Sequence, residues 1–247
     1  MGETRIAMWS GPRNISTALM RTFGNRPDTF VTDEPLYGHF LKKTGIQHPG
    51  REEIIQSQNT DWKKITGELC GTIPTNKSVW YQKHMVHHIT GNMNFDWTKY
   101  FNNCFLIRHP RDVITSYEKK YIITSAAQLG YPQQKRLYDW MCLKRIKKPP
   151  VIEANDIVKD PKQVLCFLCS EFNIEFYESM LSWEPGPRDT DGVWSKYWYE
   201  NVNRSSGFMP LKTTSKEIPN ELESIYSECL ETYNYFYNRK EFNAVIS

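Results

Sequence analysis

The stretch RIAMWSGPRNISTALMRTFG, Arg5 to Gly24, decides how this chain folds. The apolar run at Arg5–Trp9 reads as a buried strand. Gly11 and Pro12 turn the chain, and Ile15, Leu19, Thr22 and Phe23 then recur at helical spacing. Strand, tight turn and helix are the layout of a phosphate-binding loop, although the lysine and second glycine of the common nucleotide loop are missing. Backbone N–H groups near Asn14, Ile15, Ser16 and Thr17 would point out of the helix start, where free donors and the helix dipole attract an anion. The Ser16 and Thr17 hydroxyls add donors, and Arg13 adds a guanidinium that keeps its charge. The same residues also allow a plainer arrangement, with Ser10 or Asn14 capping the helix and Arg13 in solvent.

Working outward, four more runs read as strands: TFVT from Thr29, SVWYQK from Ser78, CFLIR from Cys104 and PVIEA from Pro150. Most are separated by enough chain for a helical crossover. The expectation is therefore an α/β fold of three layers and P-loop type, with a mainly parallel five-stranded sheet flanked by helices. Helical period recurs at Leu137, Trp140, Met141 and Ile146 and at Val164, Leu165, Leu168 and Phe172, and a last helix is expected from about Glu217 to Phe236. Phe40–Asn76 and Glu184–Thr214 lack clear period. Long irregular stretches in a compact domain often serve as binding loops, so 184–214 is expected to cover the acceptor or the cofactor within a single domain spanning 1–247.

Composition narrows the function. At 247 residues the chain can bury one α/β core. A net charge of +3 falls short of the clustered basic footprint of a nucleic-acid binder but suits a small anionic ligand. The six cysteines show no spacing of a secreted disulfide framework. No apolar run is long enough to span a bilayer, so a cytoplasmic protein without membrane partner is expected. Eight tryptophans and an aromatic content of 14% point to a ring-lined pocket or a ring-rich core equally well.

A second motif, FLIRHPRDVITSYEKK, ends a strand at Arg108 and places Ser116 eight residues on, in the helix opened by Pro110. A strand-end arginine and a helix serine can converge on one anion at the carboxyl edge of a parallel sheet. Taken alone, an arginine paired to a nearby carboxylate explains the motif as well.

Together the two motifs resemble the sulfotransferases that use 3′-phosphoadenosine 5′-phosphosulfate (PAPS). In that family a first loop like YPKSGTTW grips the 5′-phosphosulfate, and a later Arg with Ser eight residues on grips the 3′-phosphate. The segment VIEANDIVKDPKQVLCFLCSEFNI is similar to the family's YEDLKEDP…FLG stretch, and with VWYQKHM the likeness covers most of residues 5–175. MWSGPRNISTALMR, YQKH and DGVWSKYWY…SSGF further resemble a branch labelled aminotransferase-like, although no pyridoxal-lysine signal stands out. The chain departs from the pattern in three places. Arg13 stands where most members have lysine, Ile15 replaces the loop glycine, and the C-terminal RKG cofactor segment has only a faint counterpart in Arg204, Ser205, Ser206 and Gly207.

The resemblance implies transfer of a sulfuryl group from PAPS to a hydroxyl or amine of a small acceptor, with release of PAP. Gly11–Thr17, Arg108, Ser116 and Arg204–Gly207 would hold the donor, and Arg13 would bridge the leaving oxygen. The position of the family's catalytic histidine falls on His84, just past the expected strand end, with Glu34 as the competing base and Lys83 as an electrostatic helper. His84, His87 and His88 have spacing that could gather a metal, but no acidic third ligand is evident and none is expected. The rings of Trp194, Tyr197, Trp198 and Tyr199 could cover the adenine or cage the acceptor, or pack as core. The alternative functions are an ATP-dependent phosphotransferase and a catalytically silent nucleotide-binding or scaffold protein of the same fold.

Overall fold

Apolar side chains of both parities along the five runs require a sheet covered on both faces. The computed structural model, which describes residues 2–91, 93–144, 147–211 and 217–242, has that sheet. Its strands are β1 (Thr4–Ser10), β2 (Thr29–Asp33), β3 (Val79–Met85), β4 (Asn102–Ile107) and β5 (Val151–Glu153), in the order β2-β3-β1-β4-β5. All four pairings are parallel. Every residue of β3 is buried, as a strand covered on both faces demands.

Side-chain alternation divides the core in two. Ile6, Met8, Tyr81 and Cys104 face helix α1 (Ser16–Gly24), which contributes Leu19, Met20 and Phe23. Ala7, Trp9, Trp80 and Phe105 face the other way. The expected irregular stretch after β2 contains α2 (Tyr37–Thr44), α3 (Arg51–Ser57) and α4 (Trp62–Leu69). After β4 come α5 (Pro110–Tyr117), α6 (Ala126–Leu129) and α7 (Tyr131–Leu143), of which α5 and α7 cover the second face through Val113, Leu137 and Met141. After β5, α8 (Ala154–Lys159) and α9 (Pro161–Glu171) return to the first face with Ile157, Val164 and Leu168. The segment from Glu184 carries only α10 (Ser195–Trp198) and α11 (Glu200–Asn203), and Thr214 lies outside the described residues, as does Ile146. The last helix, α12 (Glu223–Tyr237), starts later than expected because a 3₁₀ turn at Asn220–Leu222 precedes it.

In a parallel sheet all strands end on one edge. Here β1 and β4 are neighbours whose following helices depart to opposite faces, and this switch point opens a crevice between their loops. The loop at Gly11–Thr17 and the motif at Arg108–Ser116 stand on either side of it.

Candidate active site

The loop after β1 is tightly built. A Cβ at Gly11 would come within 2.4 Å of the Leu129 carbonyl oxygen, so only glycine lets the loop pass the end of α6. Arg13 and Ile15 are left-handed, with φ of 62° and 56°, a conformation costly for a β-branched residue and often found at functional loops. Ile15 occupies the cap position of α1, and no side chain caps the helix. Ser10 instead meets the Met85 sulfur, and the Asn14 amide reaches the Leu106 carbonyl at 3.4 Å. Neither candidate cap does that job, which leaves the first amides of α1 open to an anion.

The two motifs converge. Arg13 Nε donates to Ser116 Oγ at 2.9 Å, and Arg108 Nη1 donates to the Arg13 carbonyl at 2.7 Å. Burial lowers the pKa of both guanidiniums; Asp112 and Glu153 pull that of Arg108 back up, whereas Arg13 has no salt bridge among the described residues. Arg108 Nε and Asn14 Oδ1 are buried without partners. Two desolvated cations with a spare donor beside an uncapped helix fit a phosphorylated ligand. Of the expected donor-binding residues, the structure brings together Gly11, Pro12, Arg13, Asn14, Ile15, Ser16 and Thr17 on one side and Arg108 and Ser116 on the other.

The segment Arg204–Gly207 is not joined to them. Arg204 lies in solvent against Glu200 at 3.0 Å, Ser205 bonds the Val202 carbonyl at 2.8 Å, and the Ser206 carbonyl accepts from Trp183 N–H. None of its hydrogen bonds among the described residues reaches 11–17.

The ends of β2 and β3 carry a different cluster. Asp33 and Lys83 are register partners, and Lys83 Nζ lies 3.0 Å from Asp33 Oδ1, 2.7 Å from Glu34 Oε1 and 2.6 Å from the Tyr199 hydroxyl. Tyr199 also donates to Asp33, and Trp194 Nε1 donates to Tyr199 at 3.2 Å. Burial works against the Lys83 charge, but Asp33, Glu34 and Tyr199 hold its pKa well above the usual value. Glu34 is left-handed, with φ of 39°, and buried; desolvation raises its pKa against the pull of Lys83. Its second oxygen lies 3.9 Å from His88 Nε2. A buried ion pair joins the segment from Glu184 to α1: Arg21 grips Asp191 with both terminal nitrogens, one at 2.7 Å.

His84 stands elsewhere. The sequence suggests that β3 ends at Lys83, but the strand runs on to Met85, so His84 follows the parity of Trp80 and Gln82 and enters the face opposite Lys83. Its ring stacks on Trp9 at 4.4 Å, and Nε2 meets Gln82 Oε1 at 3.1 Å. At 1% exposure it is a core residue, and burial drops its pKa to about 3. Burial makes it a weaker proton acceptor than a free imidazole. His88 is equally buried and stacks between Tyr37 and Phe40. Among the described residues no cluster of three metal-ligating side chains occurs.

A cavity of about 490 Å³ opens on the same sheet edge, with Phe40, Ile46 and His48 on one wall and Tyr117, Pro132 and Arg136 on the other. Tyr117 neighbours Tyr121, which stands beside Arg13, and Trp198 packs on Tyr121 with ring centres 5.0 Å apart. Of the four rings from Trp194 to Tyr199, Trp194 and Tyr199 are thus buried in the charge cluster, whereas Trp198 roofs the crevice. Of the two segments without clear period only Phe40–Asn76 reaches the cavity, through Phe40, Thr44, Ile46 and His48; none of the lining comes from 184–214 among the described residues.

The chain is similar to known proteins over nearly all its length. The family model described as "Sulfotransferase domain" matches residues 4–234. Branched-chain-amino-acid aminotransferase-like proteins 2 and 1 of Arabidopsis thaliana are 33% and 34% identical over 230 residues, 93% of this chain. The match takes in 40% and 41% of those proteins, so the chain spans about two fifths of their length. Among solved structures, the sulfotransferase domain from the Synechococcus PCC 7002 olefin synthase has a TM-score of 0.57 at 19% identity, covering 95% of this chain and 96% of that one. A sulfotransferase from Alicyclobacillus acidocaldarius gives 0.55 at 11%, covering 98% of each. The sulfotransferase domain from the curacin biosynthetic pathway gives 0.53 at 16%, covering 92% of this chain and 97% of that one. At these identities the structures speak to the fold, and the family match to descent: the chain belongs to the sulfotransferase domain family.

Proposed function

We propose that this chain is a PAPS-dependent sulfotransferase that moves a sulfuryl group to a hydroxyl, or an amine, of a small acceptor and releases PAP. The observation that carries this reading is the convergence of Arg13, Ser116 and Arg108 at the β1–β4 switch point, with Arg13 unmatched by a carboxylate among the described residues and the Arg108 Nε donor left over. Bound there, PAPS supplies an activated sulfuryl group: the bond from sulfur to the phosphate oxygen breaks as the bond from sulfur to the acceptor oxygen forms. The amides of Asn14–Thr17 and the Ser16 and Thr17 hydroxyls would hold the 5′-phosphosulfate, and Arg13 would meet the charge that grows on the leaving oxygen. Arg108 and Ser116 would hold the 3′-phosphate.

The proton of the acceptor goes to Glu34. Desolvation raises the pKa of this carboxylate, which makes it a stronger base than one in water, while Lys83 partly offsets the rise. Asp33 and Tyr199 fix Lys83 in turn. His84 receives no chemical role.

The test is transfer of radiolabelled sulfur from PAPS to a panel of small hydroxyl and amine acceptors. Labelled product with the wild type and none with Arg13→Ala supports the reading. Tight PAP binding with no product on any acceptor turns it into that of a silent nucleotide binder.

A further inference from the structure

The large cavity carries information about its ligand that the reaction alone does not. Its wall mixes apolar and aromatic groups from Phe40, Ile46, Ile89 and Tyr117 with the hydroxyls of Thr44, Thr90 and Ser125, and its volume of about 490 Å³ is that of a small-molecule site. Three polar groups on its wall are unsatisfied or free. Gln133 Oε1 and His87 Nδ1 are buried without hydrogen-bond partners. Arg136 stands exposed, its guanidinium 5.2 Å from the Phe95 ring centre, with no ion pair among the described residues. No aspartate or glutamate is among the described residues that line the cavity. An ammonium entering it would shed water and find no counter-charge, whereas a carboxylate would meet a planar guanidinium fork.

The inner end of the cavity adjoins the proposed chemistry. Phe40 and His87 lean on His88, with ring centres 4.9 and 4.4 Å away, and His88 lies 3.9 Å from Glu34. On the opposite wall Tyr117 meets Tyr121, which stands beside Arg13. Glu34 itself does not line the cavity: the buried His88 stands between it and the lining residues Phe40 and His87, while Arg136 lies on the lining.

We propose that the acceptor is a hydroxylated carboxylic acid with an apolar or aromatic body, its carboxylate held by Arg136 and its hydroxyl turned inward. This rests on the sulfotransferase reading, and it makes Arg136 a specificity-determining residue rather than a catalytic one. A donor hydrogen on the ligand would satisfy Gln133 Oε1 as well.

The experiment is calorimetric binding of matched probes to the whole protein in the presence and absence of PAP. Hydroxyphenylpropionate and hydroxydecanoate are each compared with their methyl esters and with an amine of equal length. At least one acid is expected to bind about tenfold or more tightly than its ester and its amine, the worth of one hydrogen bond to a charged group. Arg136→Glu should erase that preference by weakening the acid alone, and Arg136→Lys should retain part of it. Affinity for PAP should be the same in all three proteins. Equal binding of acid and ester, binding of neither acid, or indifference of the preference to Arg136→Glu would overturn the proposal. Failure of the wild type to bind PAP, with the acid preference intact, would instead remove the sulfotransferase reading and leave the cavity as an acid-binding site.

Discussion

Two regions of the same sheet edge hold buried cations and treat them in opposite ways. At the ends of β2 and β3, Lys83 is surrounded by Asp33, Glu34 and Tyr199, so its charge is answered within the chain. At the ends of β1 and β4, Arg13 and Arg108 donate to a hydroxyl and a carbonyl; Asp112 and Glu153 lie close enough to favour the Arg108 charge, whereas no carboxylate does so for Arg13 among the described residues. The first region is complete without ligand; the second is left short of negative charge at Arg13. A fold that desolvates Arg13 without a carboxylate has left its partner to come from outside, and the complete cluster beside it is where a proton can be received without disturbing that anion.

Breaking this contrast should have its largest effect at the complete cluster. Lys83→Met leaves two buried carboxylates uncompensated and should cost about 3–5 kcal/mol of stability in urea unfolding. The folded-state pKa of Lys83 is raised above its usual 10.5, so its contribution is whole at neutral pH and fades only at pH above that value. In the variant the deficit should shrink as pH falls and Glu34 takes up its proton. A deficit that does not change with pH would mean that the cluster holds the fold by packing alone.

Glu34→Gln should lower turnover by about a hundredfold or more while leaving PAP affinity intact. In the wild type kcat/KM should rise with pH along a limb displaced above the ordinary carboxylate value of 4.5, because the base acts only when deprotonated and desolvation raises its pKa. His84→Gln should keep turnover within a few-fold, on the order of what a core repacking allows. The reverse pattern would return the base to His84.

At the open region the effects are smaller and fall on binding. Arg108→Ala should weaken PAP by roughly thirtyfold, about 2 kcal/mol, without a comparable loss of stability, since burial opposes the removed charge while Asp112 and Glu153 favour it. A large loss of stability with unchanged PAP affinity would exchange the characters of the two regions. The smallest effect is expected for Ile15→Gly. Relief of the left-handed conformation, about 1–2 kcal/mol, is offset by the flexibility of glycine and the lost half-buried side chain, so unfolding should change by no more than about 1 kcal/mol.

Much of this site could be read along the chain. All five strands lie in apolar runs, and the meeting of Arg13 with Arg108 and Ser116 follows from placing two strand-end motifs on neighbouring parallel strands. His84 was misplaced for a local reason. Two further residues of β3 keep it within the strand's alternation, on the face opposite Lys83, and YQKHM does not mark where pairing stops. Helices α2, α3 and α4 escaped because each has only about two turns, too short for a period to accumulate; α3 is held by Ile54 alone and α4 by Ile65, Thr66 and Leu69. The grip of Arg21 on Asp191 joins residues 170 apart and has no local signature at all. The departure at Ile15, by contrast, is visible in the sequence, and its backbone keeps the left-handed turn that a glycine would take there freely.

The most direct test of the central claim is thermal stabilisation by PAP, AMP, ADP and ATP in the absence of metal. A ligand that binds only the folded state at about a hundred times its Kd adds roughly 2.7 kcal/mol of stability, several degrees in midpoint. The two-phosphate site predicts a shift that is largest with PAP and falls away in Arg108→Ala. No shift with PAP, or a larger one with ATP, would contradict it.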